Sequence, residues 1–346
     1  MKKIIIIAIS LLNIAIIKAQ TVENVHAKLK GQNVIIAYDL KTDGEKTKYT
    51  VELYISNKSR QAYRQIKTDL IGDVGKNIPV GKNRTITWNP FKDNPNYVAE
   101  NAMFKVIAVN FEGYIETTAG LNLEMLAIKG GTFQMGSYDS DASTDEQPVH
   151  SVNVKNFYIG KYEVTQDQWS AIMGNNPSYF SGTNLPIEKV SWNDIQIFLK
   201  ILNKKTGKNY RLPTEAEWEF AAKGGIETNR SAYNKNYSGN NKIDVIAWYG
   251  DNSGSKTHAV GTKQANELGI YDMSGNVWEW CNDWYSSDYY GRSLQNNPQG
   301  ASSGFSRVLR GGSWRNYESH CRVANRRSYS PDYNSYNLGF RLACSQ

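Results

Sequence analysis

Cysteine and histidine are scarce in this chain of 346 residues, and their scarcity excludes several kinds of site. The three cysteines, Cys281, Cys321 and Cys344, are too few for a disulfide scaffold, and in an exported protein an odd count leaves one unpaired within the chain. The four histidines are scattered, and no two of them stand four residues apart. A helical zinc pair is therefore excluded, and the chain also lacks a glycine loop that would cradle phosphate.

Charge of one sign is not concentrated anywhere along the chain. Charged residues make up 21% and apolar residues 40% of the sequence, which is an ordinary composition for a globular protein. The net charge of +7 is carried by scattered lysines, whereas a nucleic-acid interface needs a clustered basic stripe. We therefore expect no nucleic-acid partner.

Long apolar runs are absent except at the beginning of the chain. Residues 4–17 are almost all apolar, a short basic segment precedes them, and Lys18-Ala19-Gln20 follows. This pattern predicts a signal peptide over residues 1–19, cleaved after Ala19, and hence export to a periplasm, a cell surface or the medium. A retained anchor helix is the alternative. No cysteine follows the run, which argues against a lipid anchor, and no later segment predicts a transmembrane helix.

Residues 20–115 predict an all-β domain. Four segments alternate apolar with polar residues and are rich in β-branched and aromatic side chains, as strands with one buried face are. Glycine, asparagine, aspartate and proline separate them. The pattern favours an immunoglobulin-like or fibronectin-like sandwich that acts as a spacer or an attachment domain. The segments are 34–38, 49–55, 84–88 and 103–109.

After a linker at residues 116–122, residues 123–346 predict a loop-rich α+β domain. Three short helices are indicated by their N-caps, Thr165, Ser191 and Thr214. Thr165 and Thr214 are each followed three residues later by Gln or Glu, which is the capping-box pattern. The tryptophans within these helices are predicted to be core residues.

The densest motif of the chain lies at residues 271–280, which read YDMSGNVWEW, followed by RGGSW at 310–314 and NLGFR at 337–341. Earlier segments agree in order: GGTFQMGS at 130–137, YEVT at 162–165 and RLPTEAEWE at 211–219. Together they resemble the formylglycine-generating enzyme family, also called sulfatase-modifying factors. The resemblance covers the whole second domain and implies a fold related to C-type lectins.

The resemblance implies chemistry that this chain retains only in part. Active members of the family oxidise a substrate cysteine to formylglycine with oxygen, using copper(I) held by two cysteine thiolates. Cys321 matches the second of these cysteines, but Asn316 stands where the first would be, and Ser313 beside the metal is retained. Because an amide is a poor ligand for copper(I), we expect no intact copper site. Cys321 is then more simply explained as a small buried residue.

The resemblance also implies a calcium ion. The side chains of Asp272 and Glu279 and the backbone carbonyls of Gly275 and Val277 match the residues that hold calcium in the family. Hard oxygen ligands of this kind suit calcium. The alternative is a capped turn in which both carboxylates accept backbone N–H groups.

The segment from Trp314 to Asn337 is crowded with Tyr, Asn, Ser and Arg, as antibody combining sites are. In some lectin-like relatives this segment is diversified for ligand binding. We therefore predict a ligand-binding face on which the tyrosines are at least partly exposed, with a polar loop over the core as the alternative. The predicted face comprises Trp314, Asn316, Tyr317, Tyr329, Tyr333 and Tyr336.

Two functions follow from these observations. The first is an exported binding or accessory module that keeps the fold without the chemistry and meets a protein or surface ligand, with a sulfatase-like client included. The second is a copper- and oxygen-dependent oxidase that converts a client sulfatase cysteine to formylglycine. Asn316 and the tyrosine-rich segment favour the first function.

Overall fold

The computed structural model describes residues 22–41, 48–57, 64–66, 69–93, 102–109, 113–140, 142–225 and 236–346. The predicted signal peptide, residues 1–19, lies outside the described residues. The chain divides into two compact units, Met1–Phe111 and Glu112–Gln346.

The described strands of the first unit form two antiparallel sheets. One sheet has the strand order β1-β2-β7-β5, and in the other β3 pairs with β4, β6 and β8. A short helix, α1 (Pro90–Asp93), follows β7. The strands are β1 (Val22–Lys30), β2 (Asn33–Leu40), β3 (Lys48–Asn57), β4 (Arg64–Ile66), β5 (Leu70–Gly72), β6 (Gly75–Pro79), β7 (Gly81–Trp88) and β8 (Ala102–Val109).

The strands of these sheets form where apolar and polar residues alternate, which gives each strand one buried face. Along β2 every second side chain is buried, and the buried residues of β2 and β3 belong to one apolar cluster shared by both sheets. The four predicted strand segments fall within β2, β3, β7 and β8, so these predictions are confirmed. The structure thus establishes a β-rich N-terminal unit with one core.

The second unit mixes short strands with helices. Its strands are β9 (Gly113–Glu116), β10 (Leu123–Ile128), β11 (Gly131–Met135), β12 (His150–Val154), β13 (Phe157–Gly160), β14 (Tyr210–Arg211), β15 (Trp278–Trp284), β16 (Arg307–Arg310), β17 (Arg327–Tyr329), β18 (Leu338–Gly339) and β19 (Ala343–Ser345). Its α-helices are α2 (Gln166–Met173), α3 (Trp192–Thr206), α4 (Glu215–Ala222) and α5 (Ile243–Ile246). Single 3-10 turns lie at Thr118–Gly120, Thr144–Glu146, Tyr289–Arg292 and Glu318–Cys321.

The three predicted helix starts are confirmed. Thr165, Ser191 and Thr214 each accept the backbone N–H of the residue three positions on, and the side chain of that residue returns the bond, as a capping box requires. Gly174 and Gly207 end α2 and α3 in the left-handed conformation, which costs glycine little.

Two sheets of the second unit position the loops considered below. One has the order β14-β19-β13-β10-β9, and the other has the order β17-β16-β15-β18. Residues 116–122, predicted as a linker, belong to this unit: Glu116 ends β9 and is buried, and Leu123 begins β10. The parallel pairing of β15 with β18 brings residues 338–339 beside residues 278–279.

Buried ion pairs join segments that are far apart in the sequence. Arg310 contacts Glu215 and Glu219 of α4, and Arg326 contacts Glu215 as well. Arg322 pairs with Glu146 at an N–O distance of 2.7 Å. Removing one partner of such a pair leaves an uncompensated buried charge, so these contacts fix the C-terminal loops strongly.

No helix among the described residues is both long and apolar enough to cross a bilayer. The three cysteines are all buried, and none of them forms a disulfide.

We predict that Gly275→Ala destabilises the second unit far more than Gly174→Ala. Both glycines have positive φ, +85° and +76°, which costs alanine about 1–2 kcal/mol. A Cβ at Gly275 would also clash with the carbonyl oxygen of Trp248, whereas a Cβ at Gly174 meets nothing within 4 Å. We expect Gly275→Ala to lower the free energy of unfolding by more than roughly 3 kcal/mol, because the backbone at Trp248 must move as well.

Denaturant unfolding of both variants measures the difference. Equal losses for the two variants would show that the close approach of Gly275 to Trp248 is not needed for the stability of the fold.

Candidate functional site

The loop at residues 271–279 is fixed by backbone hydrogen bonds to two other segments. Gly275 donates to the carbonyl of Gly311, Asn276 donates to that of Trp248, and Trp314 donates to that of Asn276, each at 2.8 Å. The YDMSGNVWEW and RGGSW motifs are therefore parts of one structure, which the sequence presents as separate runs.

Glu279 is fully buried at the start of β15 and forms an ion pair with Arg341. Its Oε1 accepts Nη2 of Arg341 at 2.6 Å, and its Oε2 accepts Nε of Arg341 and Nε1 of Trp218, both at 2.7 Å. A carboxylate oxygen has two lone pairs, so Oε2 is saturated and Oε1 retains one acceptor position. The arginine of the NLGFR motif thus neutralises one of the predicted calcium ligands.

A third carboxyl group, Glu163, lies beside this loop. It accepts the backbone N–H of Val277 at 3.0 Å and the side-chain amide of Asn276 at 2.6 Å. Burial, with the nearby charges of Asp272 and Glu279, raises the pKa of Glu163 well above its usual range. Asp272 and Glu279 thus oppose ionisation of Glu163, and the charge of Arg341 offsets only part of this effect.

Asp272 adopts a positive φ of 58°, and its Oδ2 accepts the backbone N–H of Gly261 at 2.7 Å. Within the described parts of the chain, no three His, Cys, Asp or Glu side chains are grouped so that they could hold one metal ion. A cation here would therefore have at most two carboxylate ligands and would depend on backbone carbonyls for the others. The ligand set predicted from the sequence is of this kind, with Asp272, Glu279 and the carbonyls of Gly275 and Val277.

The position predicted for the first copper cysteine holds a hydrogen-bonded amide. The side-chain oxygen of Asn316 accepts Nε1 of Trp278 at 2.9 Å and the hydroxyl of Ser313. The hydroxyl of Ser313 in turn accepts the side-chain amide of Asn337 at 3.0 Å. Both acceptor positions of the Asn316 oxygen are occupied within the protein, and its NH2 group remains as a donor.

Cys321 lies next to the backbone N–H of Ser313. Its thiol is fully buried, in one apolar cluster with Tyr237, Ile246 and Tyr249. Burial raises the pKa of the Cys321 thiol to about 12, although the backbone N–H of Ser313 opposes this rise. Cys344 belongs to a different apolar cluster. The thiolate, which is the form that binds metals, is therefore strongly disfavoured at Cys321.

Four aromatic residues of the predicted face and of a neighbouring loop make contact with one another; we call them the aromatic cluster. Trp314 contacts Phe180 and Tyr336, and Tyr179 contacts Phe180 and Tyr336, with ring centroids 5.0–5.8 Å apart. Trp314 is buried, whereas Tyr179 is 70% exposed. The side chain of Arg315 donates to the hydroxyl of Tyr336.

The remaining predicted tyrosines are placed outside this cluster. Tyr329 stacks on Tyr333 with centroids 4.2 Å apart, and Tyr317 is 76% exposed. Tyr329 and Tyr336 are half-buried and Tyr333 is exposed, so the predicted partial exposure of all four tyrosines is confirmed. Their role in binding stays a prediction.

Four residues of this region escaped the sequence prediction. Tyr179 and Phe180 lie in a loop that is far in sequence from the tyrosine-rich segment. No periodic pattern of residues predicts that they pack against it. Glu163 stands inside the YEVT motif and Arg341 inside the NLGFR motif. An acid and a base that each stand within a motif of the same domain are a signal that could have suggested a buried charge cluster.

Comparison with known proteins identifies relatives of the second unit. Residues 113–346 match the model of the sulfatase-modifying factor enzyme 1-like domain. The formylglycine-generating enzyme of Streptomyces coelicolor is 38% identical over 283 residues, which cover 62% of this chain and 87% of that enzyme. The chaperone protein LppX of Paenibacillus barcinonensis is 38% identical over 213 residues, covering 47% of this chain and 72% of that protein.

Among solved structures, Treponema denticola variable protein 1 superposes with a TM-score of 0.62 and 35% identity, covering 67% of this chain and 99% of that one. The residues matched by the family model, 113–346, include the loop with Asp272 and Glu279, the Ser313–Asn316 segment and the aromatic cluster. Through its second unit, this chain belongs to the sulfatase-modifying factor family, the family of the formylglycine-generating enzymes.

Proposed function

We propose that this chain is a binding or accessory module of the sulfatase-modifying factor family and does not generate formylglycine. One observation carries the proposal: the side-chain oxygen of Asn316, which the resemblance to the family places at a copper-binding cysteine, is occupied by Ser313 and Trp278. Copper(I) prefers soft thiolate ligands, and the amide offers none.

The remaining thiol does not compensate for this change. Cys321 is buried, and its pKa of about 12 keeps it protonated at neutral pH. A buried, protonated thiol is a poor metal ligand and a poor nucleophile. The residues present therefore do not fit a dithiolate copper centre.

The surface features support a binding role. Exposed aromatic side chains gathered on one face mark interaction sites in many proteins, and tyrosine provides contact area at a low entropy cost. Tyr179 and Tyr317 are mostly exposed, while Trp314 is the buried member of the aromatic cluster and supports its shape. One relative is named a chaperone, which supports a protein partner.

Export through the predicted signal peptide and an immunoglobulin-like or fibronectin-like N-terminal sandwich complete the proposal. In this arrangement the first unit is a spacer or an attachment domain, and the second unit meets a protein or surface ligand. A sulfatase-like client is one such partner, because relatives in this family are formylglycine-generating enzymes.

We also propose that calcium binds at the loop of Asp272. Burial raises the pKa of Glu163 and the neighbouring acids Asp272 and Glu279 add to the rise, and a divalent cation would offset the repulsion among these three groups. Asp272, the free acceptor position on Glu279 Oε1, and the carbonyls of Gly275 and Val277 would hold the ion. When bound, the ion would stabilise the loop electrostatically, with no part in any reaction.

The first prediction here concerns copper. We expect no conversion of a cysteine-containing sulfatase peptide to an aldehyde when the reduced protein is incubated with copper(I) and oxygen. Mass spectrometry of the peptide measures the conversion, with the formylglycine-generating enzyme of S. coelicolor as the positive control. An aldehyde product that disappears in the Cys321→Ser variant would establish the oxidase function instead.

The second prediction concerns calcium. At a calcium concentration about a hundred times the dissociation constant, we expect a melting temperature roughly 5–10 °C above that in chelator, because a ligand of the native state stabilises it by mass action. Asp272→Asn should abolish the difference. Asp251→Asn, which changes an exposed aspartate, should retain it.

Thermal melts of the three proteins, each with calcium and with chelator, measure the effect. Identical melting curves of the unsubstituted protein under both conditions would leave the capped turn as the explanation of the two acids.

A further inference from the structure

Glu188 is a buried carboxyl group with no part in the sites described so far. It lies between α2 and α3, and none of its surface is exposed. Its Oε1 accepts the backbone N–H of Phe180 at 2.8 Å. Its Oε2 has no hydrogen-bond partner within the described chain. A buried acceptor without a partner is costly, and an ionised one is more costly still.

The same residue is joined to the loop that carries Tyr179 and Phe180. The backbone N–H of Glu188 donates to the hydroxyl of Ser178 at 3.2 Å, and that hydroxyl approaches the carbonyl oxygen of Glu188 at 3.4 Å. Gln166, at the start of α2, accepts the N–H of Gly182 and donates to the carbonyl of Phe180. Residues 178–182 are therefore held by one neutral amide and one carboxyl group.

Glu188 also lies next to the chain that carries Tyr336. The neighbouring residue, Lys189, has a φ of +57°, and its backbone N–H donates to the carbonyl of Ser335 at 3.0 Å. On the other side, the rings of Tyr179 and Phe180 contact Tyr336 and Trp314. A change in how Glu188 holds Phe180 would consequently alter the aromatic cluster.

We propose that Glu188 is a proton-dependent latch that sets the shape of the aromatic cluster. In its neutral form it holds residues 178–182 closed against Trp314 and Tyr336. In its ionised form it favours a rearranged loop in which the carboxylate reaches water. The consequence for ligand binding rests on the proposed function, whereas the latch itself concerns only this loop.

The direction of the effect follows from the surroundings of the carboxyl group. Burial raises the pKa of Glu188 from 4.5 to about 7, against the opposing effects of the Phe180 and Tyr179 N–H groups and of the Lys189 charge. Lys189 is the charged group that acts on it, while Gln166, Ser178 and Ser335 around it are neutral. Because the closed form has the higher pKa, it is most stable below pH 4.5 and loses stability as pH rises through about 7.

The experiment follows the backbone amide signals of Tyr179 and Phe180 by NMR from pH 5 to pH 9 in the full chain without ligand. We expect both signals to titrate with a midpoint near 7. Glu188→Gln, which keeps the shape and stays neutral, should abolish this titration. Glu318→Gln, which changes an exposed glutamate, should retain it. Signals that do not move in the unsubstituted protein, or that move equally in Glu188→Gln, would overturn the proposal.

A second measurement does not depend on the NMR signals. Between pH 5.5 and pH 8.5, the unfolding equilibrium constant of the second unit should rise on the order of 30-fold relative to that of Glu188→Gln. A ratio that is constant over this range would contradict the latch. Since neither measurement uses a ligand or copper, their failure is distinct from the failure of the proposed function, which an aldehyde product would show.

Discussion

The buried ion pair between Glu279 and Arg341 is the interaction on which the site depends. It joins the start of β15 to the last segment of the chain, 62 residues away, and Trp218 of α4 donates to the same carboxylate. Arg341 also donates to the carbonyls of Gly160 and Tyr271, so one guanidinium links β13, β15 and the loop that begins at residue 271. Since isolated buried charges are costly, these segments must meet in one arrangement.

This constraint explains why a loop-rich domain can hold a defined site. The loops at 271–279 and 311–314 have few regular backbone bonds, and their shape depends on contacts with Arg341, Glu163 and one another. Charged pairs contribute less net free energy than apolar burial, but they are directional and leave few alternatives. Positioning by charge therefore fixes the geometry, while the surrounding tryptophans and aliphatic residues provide most of the stability.

Local rules predicted the elements, and long-range contacts decided the site. The capping residues Thr165, Ser191 and Thr214 and the alternating strands of the first unit depend on near neighbours, so the sequence was sufficient for them. The contacts of Tyr179 with Tyr336 and of Glu163 with Val277 join residues more than a hundred positions apart. No periodic pattern in the sequence predicts such contacts, because they form only when separate loops pack against one another.

The environment of Asn316 suits a neutral amide, because both contacts of its side-chain oxygen are with donors. A thiolate at this position would require partners for a negative charge. Here Ser313 and Trp278 both donate to the Asn316 oxygen, and Asn337 extends the network. A neutral network whose acceptors are satisfied specifies one arrangement of these side chains. The network thus ties Trp278 of β15 to the segment that carries Trp314, the buried ring of the aromatic cluster.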